Sequence, residues 1–340
     1  MNKIIASLFI IAFFSVGCSS NKTATKDFNP ADYLTHIKAE NLSKHLYIVA
    51  SDEMEGRDTG TPGQKKAGVY LIDFYKSIGV NYPKGATTYY QPIPSEFFKK
   101  QFSPKLGDSE NIWAFIEGSE KPEEILVISA HYDHVGMKNG EVYNGADDDG
   151  SGTVALLEIA AAFQKAKKEG NGPKRSILFL HVTGEEHGLH GSRFYTENPL
   201  FPLENTIANI NIDMIGRRGY GKENNDNYIY VIGSDRLSSD LHNWSEDANK
   251  KYIGMELDYT YNDLKDPNRF YYRSDHYNFA KRGIPAIFYF NGVHDDYHKA
   301  TDTPDKIDYP QLTKRAQLAF VVAWELANNP ERPKVDKDGK

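Results

Sequence analysis

Hydrophobic and polar residues alternate along this chain in two ways, and the elements they predict follow one another as strands and helices. Helical patterning predicts helices from about His36 to Ser51, Gln64 to Ile78, Gly152 to Lys167, Leu237 to Lys250, Ser274 to Lys281 and Tyr309 to Asn328. Short apolar runs predict strands near Thr88–Pro92, Asn111–Phe115, Ile125–Ala130, Ser176–Val182, Ile207–Ile212, Tyr228–Ile232, Glu256–Thr260 and Ala286–Phe290. The run Ser176–Val182 is the continuous kind expected in the buried middle of a sheet. The stretch MEGRDTGTPG reads as a loop. Strands alternating with helices predict an α/β fold, a three-layer α/β/α sandwich around a central mixed, mainly parallel sheet.

The first eighteen residues stand outside that pattern. Lys3, the apolar run Ile4 to Phe14 and the small residues before Cys18 describe a secretory signal too short to span a bilayer comfortably. Cys18 is the chain's single cysteine and resembles the lipidated cysteine of a bacterial lipoprotein, although Ser15 departs from the aliphatic residue usual three places before it. This predicts a signal over 1–18, a polar tether over 19–31, one catalytic domain over 32–330 and a charged tail over 331–340. It also predicts an exported protein held at the cell envelope, periplasmic or outer-membrane, by lipid on Cys18. One cysteine allows no intrachain disulfide, so the domain must rely on its core or on bound metal.

Composition changes little. Of 340 residues, 39% are hydrophobic and 26% charged, the ordinary globular balance. A formal charge of -7 leaves no basic footprint, which argues against nucleic acid as a partner. The 22 Tyr and 18 Phe read as core and cleft filling.

The chemistry sits where strands end, as it does in sheets of this type. Ile125–Ala130 runs into His131-Tyr-Asp133-His134, and Ile177–Val182 into Thr183-Gly-Glu185-Glu186. Asn209–Ile212 ends at Asp213, and Ala286–Phe290 leads to His294 and His298. The run Asp147-Asp148-Asp149 precedes a helix, where it could simply cap the free N–H groups. Together these segments would crowd imidazoles and carboxylates into one crevice, at a cost that cations would relieve. The donors suit zinc, with no thiolate among them. Two ions would need one bridging carboxylate and two further ligands each, leaving one glutamate to take a proton from the attacking water.

The stretches AHYDHVG, NGADDDGSG, TGEEHGLHGS, NIDMIG, SDHYNFAKRGIPA and DYHKATDTPDKI, in this order, resemble the co-catalytic zinc exopeptidases related to aminopeptidase S and aminopeptidase Y. Upstream, MEGRDTGTPGQ also resembles that family's N-terminal loop, and the spacing to His131 leaves no room for an inserted protease-associated domain. The resemblance implies two Zn2+ per chain and a peptide substrate. Asp148 would bridge, with His131 and Asp213 completing one site and Glu186 and His298 the other. Glu185 would be the general base, Asp133 the carboxylate that orients His131, and Tyr297 the group that steadies the oxyanion. A cis peptide at Asp148–Asp149 is implied as well. His294 is not expected to bind metal, and His134, His187, His190 and His276 are expected to support, cap or sit at the surface. Three rivals share the scaffold: a single-zinc glutaminyl cyclase, a carboxypeptidase, and a non-enzymatic binding protein that would have lost ligands.

Overall fold

The computed structural model of this chain describes residues 29–339, and eight of its strands join into one sheet. The strands are β1 (Tyr90–Ile93), β2 (Ser109–Ile116), β3 (Lys121–His131), β4 (Met137–Lys138), β5 (Glu141–Val142), β6 (Arg175–Val182), β7 (Thr206–Ile212), β8 (Tyr228–Ile232), β9 (Glu256–Asp258) and β10 (Ala286–Phe290). The sheet runs β1-β2-β6-β3-β7-β10-β8-β9, while β4 and β5 pair as a separate hairpin. The central four, β6, β3, β7 and β10, are mutually parallel, and β2 and β8 flank them antiparallel. The sheet is therefore mixed and mainly parallel, as the sequence predicts.

Helices are α1 (Ala31–Leu34), α2 (Ala39–Val49), α3 (Pro62–Ile78), α4 (Ser95–Lys100), α5 (Gly152–Lys168), α6 (His190–Glu197), α7 (Ser239–Tyr252), α8 (His276–Ala280) and α9 (Tyr309–Asn328). The two-residue strand period divides each central strand between two cores. Leu126, Ile128 and Phe179 pack on one face with α2, α3, α5 and α9. Val127, Leu178, Leu180 and Val182 pack on the other with Tyr195 of α6 and Phe279 of α8. Both faces are covered, which is why the run Ser176–Val182 within β6 reads without alternation and all of β6 is buried.

Differences from the predicted elements have local causes. The helix α6 carries Gly191, Ser192 and Thr196, poor helix formers, and forms because it buries Tyr195 against the sheet. The segment Asp52–Arg57, which overlaps the start of the stretch predicted as loop, winds into a tight 3-10 turn with Glu55 and Gly56 at positive φ. The signal, Cys18 and the tether up to residue 28 lie outside the described residues.

Candidate metal centre

Four parallel strand ends and one helix start deliver the site. Strand β3 ends on His131, β6 is followed by Glu185 and Glu186, Asp213 follows β7, and the loop after β10 carries His298. Gly184 makes the turn off β6 at φ 68°, and a Cβ there would lie 3.0 Å from the Cβ of His190. Asp148 comes from the turn Ala146–Ser151 before α5, and its peptide bond to Asp149 is cis.

The two oxygens of Asp148 face different partners. Oδ1 lies 3.2 Å from His131 Nε2, and Oδ2 lies 2.9 Å from His298 Nε2. Around His131 Nε2 stand Asp213 Oδ1 at 3.5 Å and Glu185 Oε2 at 3.9 Å. Around His298 Nε2 stands Glu186 Oε2 at 3.0 Å. All five expected ligands and Glu185 thus meet in one crevice. Tyr297 lines the same pocket, its ring stacked on His298 with centroids 3.9 Å apart.

The flanking aspartates and histidines divide up differently. Asp149 also comes close to His131 and Asp213, but its oxygens accept the backbone N–H groups of His131, Gly152 and Met214 at 2.9–3.1 Å. It ties loops and caps α5. Asp147 accepts from Gly216 N at 2.6 Å and faces His294 Nε2 at 3.1 Å, so His294 stands one residue away from the bridge. His134 lies closer in than the sequence suggests. Its Nδ1 is 2.7 Å from Glu186 Oε1, though 3.9 Å from Asp148. His298 is near-equidistant from Asp148 and Glu186, which makes it the better-placed imidazole of the two. His187 pairs with Asp58 at 2.7 Å, His190 with Ser103 at 2.8 Å, and His276 stacks on Phe288.

Asp133 is arranged in an unexpected way. His131 Nδ1 meets the Asp133 backbone carbonyl at 3.0 Å, while the carboxylate is 3.8 Å away. That carboxylate instead accepts from Thr59 Oγ1 at 2.9 Å and from the N–H of Glu185 at 3.3 Å. Asp133 therefore fixes both the imidazole and the backbone of Glu185.

Electrostatics show why a cation fits. Burial and Asp148 push the Glu186 carboxyl up, but His134 and His298 outweigh both and hold it at about 2. Burial lowers the His298 imidazole, yet Asp148 and Glu186 raise it to about 10. His131 is likewise raised well above its ordinary value despite burial, by Glu185, Asp213 and Asp148. Burial, Asp213, Glu186 and Asp275 push Glu185 well up against the pull of His131. Protons on the imidazoles balance the acidic cluster here, and a bound metal would displace them. Among the described residues, His131 Nε2, Asp148 Oδ2, Glu186 Oε1 and both ring nitrogens of His134 are buried and make no well-directed hydrogen bond, meeting one another only at ion-pair distances where they meet at all. Unsatisfied nitrogen and carboxylate lone pairs converging in one buried space are what a zinc ion takes up.

Several supporting residues escaped the sequence reading. Arg57 is fully buried, and its guanidinium donates to the carbonyls of Val49, Tyr132, Asn144 and Gly145 at 2.7–2.9 Å. It pins the loop after β3 to the loop before Asp148. Asp302 accepts the N–H groups of Asp147 and Asp148 at 3.0 and 3.2 Å. Below the site, Asn209 donates to Ser129, Ser129 to Asn211, Asn211 to Ser274 and Ser274 to Asp213, each at 2.6–2.9 Å and all buried. The sequence signal for this relay was Asn209 and Asn211 alternating with Ile210 and Ile212 on a strand with no exposed face.

A doubly covered sheet whose strand ends gather buried, unsatisfied imidazole and carboxylate groups defines a metal-binding α/β protein. Within that class, residues 111–323 match the model of Peptidase family M28, and the chain belongs to this family. A relative named "Probable leucine aminopeptidase" from Arthroderma otae is 32% identical over 224 residues, 64% of this chain and 57% of the relative. The chain thus spans less than two thirds of that relative's length. The fold is similar to Legionella pneumophila LapA aminopeptidase, with TM-score 0.67 and 23% identity over 89% of this chain and 75% of that one. It is also similar to Bacteroides thetaiotaomicron glutaminyl cyclase, with TM-score 0.64 and 19% identity over 87% of this chain and 99% of that one.

Proposed function

We propose that this chain is a zinc-dependent aminopeptidase that removes N-terminal residues from peptides, using two zinc ions. The observation that carries this reading is the divided Asp148 carboxylate, with one oxygen toward His131 and Asp213 and the other toward His298 and Glu186. His131, Asp148 and Asp213 would hold one ion, and His298, Asp148 and Glu186 the other. Bound there, zinc supplies Lewis acidity toward the attacking water and the scissile carbonyl.

The remaining steps belong to side chains. Glu185 takes a proton from the attacking water and returns it to the leaving amine. Its place is set through its backbone N–H by Asp133. The Tyr297 phenol, kept protonated by burial and by Asp148, Glu186 and Glu185, donates to the oxygen on which charge develops. The substrate's free α-amine sits against the carboxylates, which selects chain ends. We propose separately that lipid on Cys18 holds the protein at the cell envelope, to be checked by fatty-acid labelling of wild type and C18A.

The fold likeness to a glutaminyl cyclase carries the second reading, one zinc and ring closure of N-terminal glutamine. Metal analysis run alongside aminoacyl-anilides, N-blocked peptides and a Gln-peptide separates the readings. Two zincs and cleavage restricted to free N-termini are expected. One zinc with cyclised product supports the cyclase, and cleavage of blocked peptides from the other end supports a carboxypeptidase.

A further inference from the structure

Among the described residues one cation, Arg273, lines the pocket that opens beside Glu185 and Tyr297, whose apolar wall is built by Met214, Phe270, Phe288, Phe290 and Val293. Its side chain is exposed, and the guanidinium lies over the Phe270 ring, 4.9 Å from the centroid. A ring face holds such a group in place while leaving its N–H edge free. Among the described residues the Arg273 side chain makes no hydrogen bond or ion pair. Arg217 pairs with Asp296 at 2.9 Å and Arg218 with Asp308 at 2.7 Å, while Arg269, which also lies over a ring, that of Tyr272, does not line this pocket. An arginine present only to balance the acidic centre would contact one of its carboxylates. Arg273 shares a pocket with Asp148, Glu185 and Asp213 and pairs with none of them.

A guanidinium fork that is positioned, solvent-reachable and unused fits a carboxylate through two parallel hydrogen bonds. We propose that Arg273 receives a carboxylate of the substrate, either the side chain of an acidic first residue or the C-terminal carboxylate of a dipeptide. This rests on the exopeptidase reading and adds to it a preference for short or acidic peptides.

The test compares zinc-loaded wild type with R273Q and R273K, after zinc content has been matched. One arm takes the ratio of kcat/KM for Glu-p-nitroanilide to that for Leu-p-nitroanilide. The other takes the ratio for Leu-Gly to that for Leu-Gly-amide. In R273Q one ratio is expected to fall about tenfold or more, the scale of a charge-assisted pair. The arm that falls names the source, and R273K should fall less because it keeps the charge without the fork. Both ratios staying within about twofold of wild type in R273Q overturns the assignment while leaving the exopeptidase reading standing. Wild-type protein that turns over none of the four substrates overturns that reading, and this one with it.

Discussion

Ser274 donates its hydroxyl to Asp213 Oδ2 at 2.6 Å, while Asp213 Oδ1 faces His131. The carboxylate is thus held from below by a neutral donor and presents its other oxygen to the centre. S274A removes that hold and leaves Asn211 without its acceptor. Zinc affinity is expected to fall about 10- to 100-fold, the usual effect of losing a group that orients a ligand. Competition with a chelator of known affinity measures it, and an unchanged affinity would show that Asp213 needs no such support.

Glu185 is the group whose loss should separate binding from turnover. E185Q keeps the shape and the N–H bond to Asp133 but cannot accept a proton. Its kcat should fall about 10²- to 10⁴-fold with zinc content unchanged. Wild-type activity in a zinc-loaded E185Q would remove Glu185 from the chemistry.

Arg57 predicts a stability effect instead. R57A strips the donors from four buried carbonyls, those of Val49, Tyr132, Asn144 and Gly145. Unpaired buried acceptors cost about 1–3 kcal/mol each when no water reaches them, so a loss of about 3 kcal/mol or more is expected in urea unfolding. A loss under about 1 kcal/mol would mean that water fills the space.

His181 sets an acid limit away from the metal. It is fully buried against Tyr75, and burial lowers its imidazole to about 3. Near neutrality it is uncharged in both folded and unfolded chains. Below its ordinary value of 6.5 the unfolded chain takes up a proton and the folded chain does not, so stability falls with pH between 6.5 and about 3. The slope from this group reaches about 1.4 kcal/mol per pH unit. Denaturation of H181N across that window should show a shallower slope than wild type, and an identical slope would contradict the argument.

The sheet and most ligand segments were legible because four of the five proposed ligands lie at or beyond the end of an apolar strand, and an apolar run that stops at a polar residue is a local signal. The same logic could not choose among Asp147, Asp148 and Asp149, which share composition and differ only in where their carboxylates turn. The resemblance selected Asp148, and the distances place its two oxygens toward both imidazoles. What stayed hidden was long-range. Arg57 is one charged residue in a polar loop, and nothing local says that its guanidinium will be enclosed by carbonyls from three other segments. His134 is expected to support, cap or sit at the surface, and which group it supports, Glu186, depends on the turn the chain takes after β3. The short helices α4 and α6 exist through the surfaces they cover, which a residue-by-residue reading does not contain.

Strand order adds a point about how the protein is made. The strand β10 lies in the middle of the sheet, between β7 and β8, yet it is synthesised after both. A nascent chain that has passed residue 213 already carries four of the five proposed ligands, but its central slot is open and His298 does not yet exist. The growing polypeptide therefore holds a cluster of acids with too few partners, and maturation waits on its last third. The central slot of the sheet and the last of the proposed ligands thus both come from the final third of the chain.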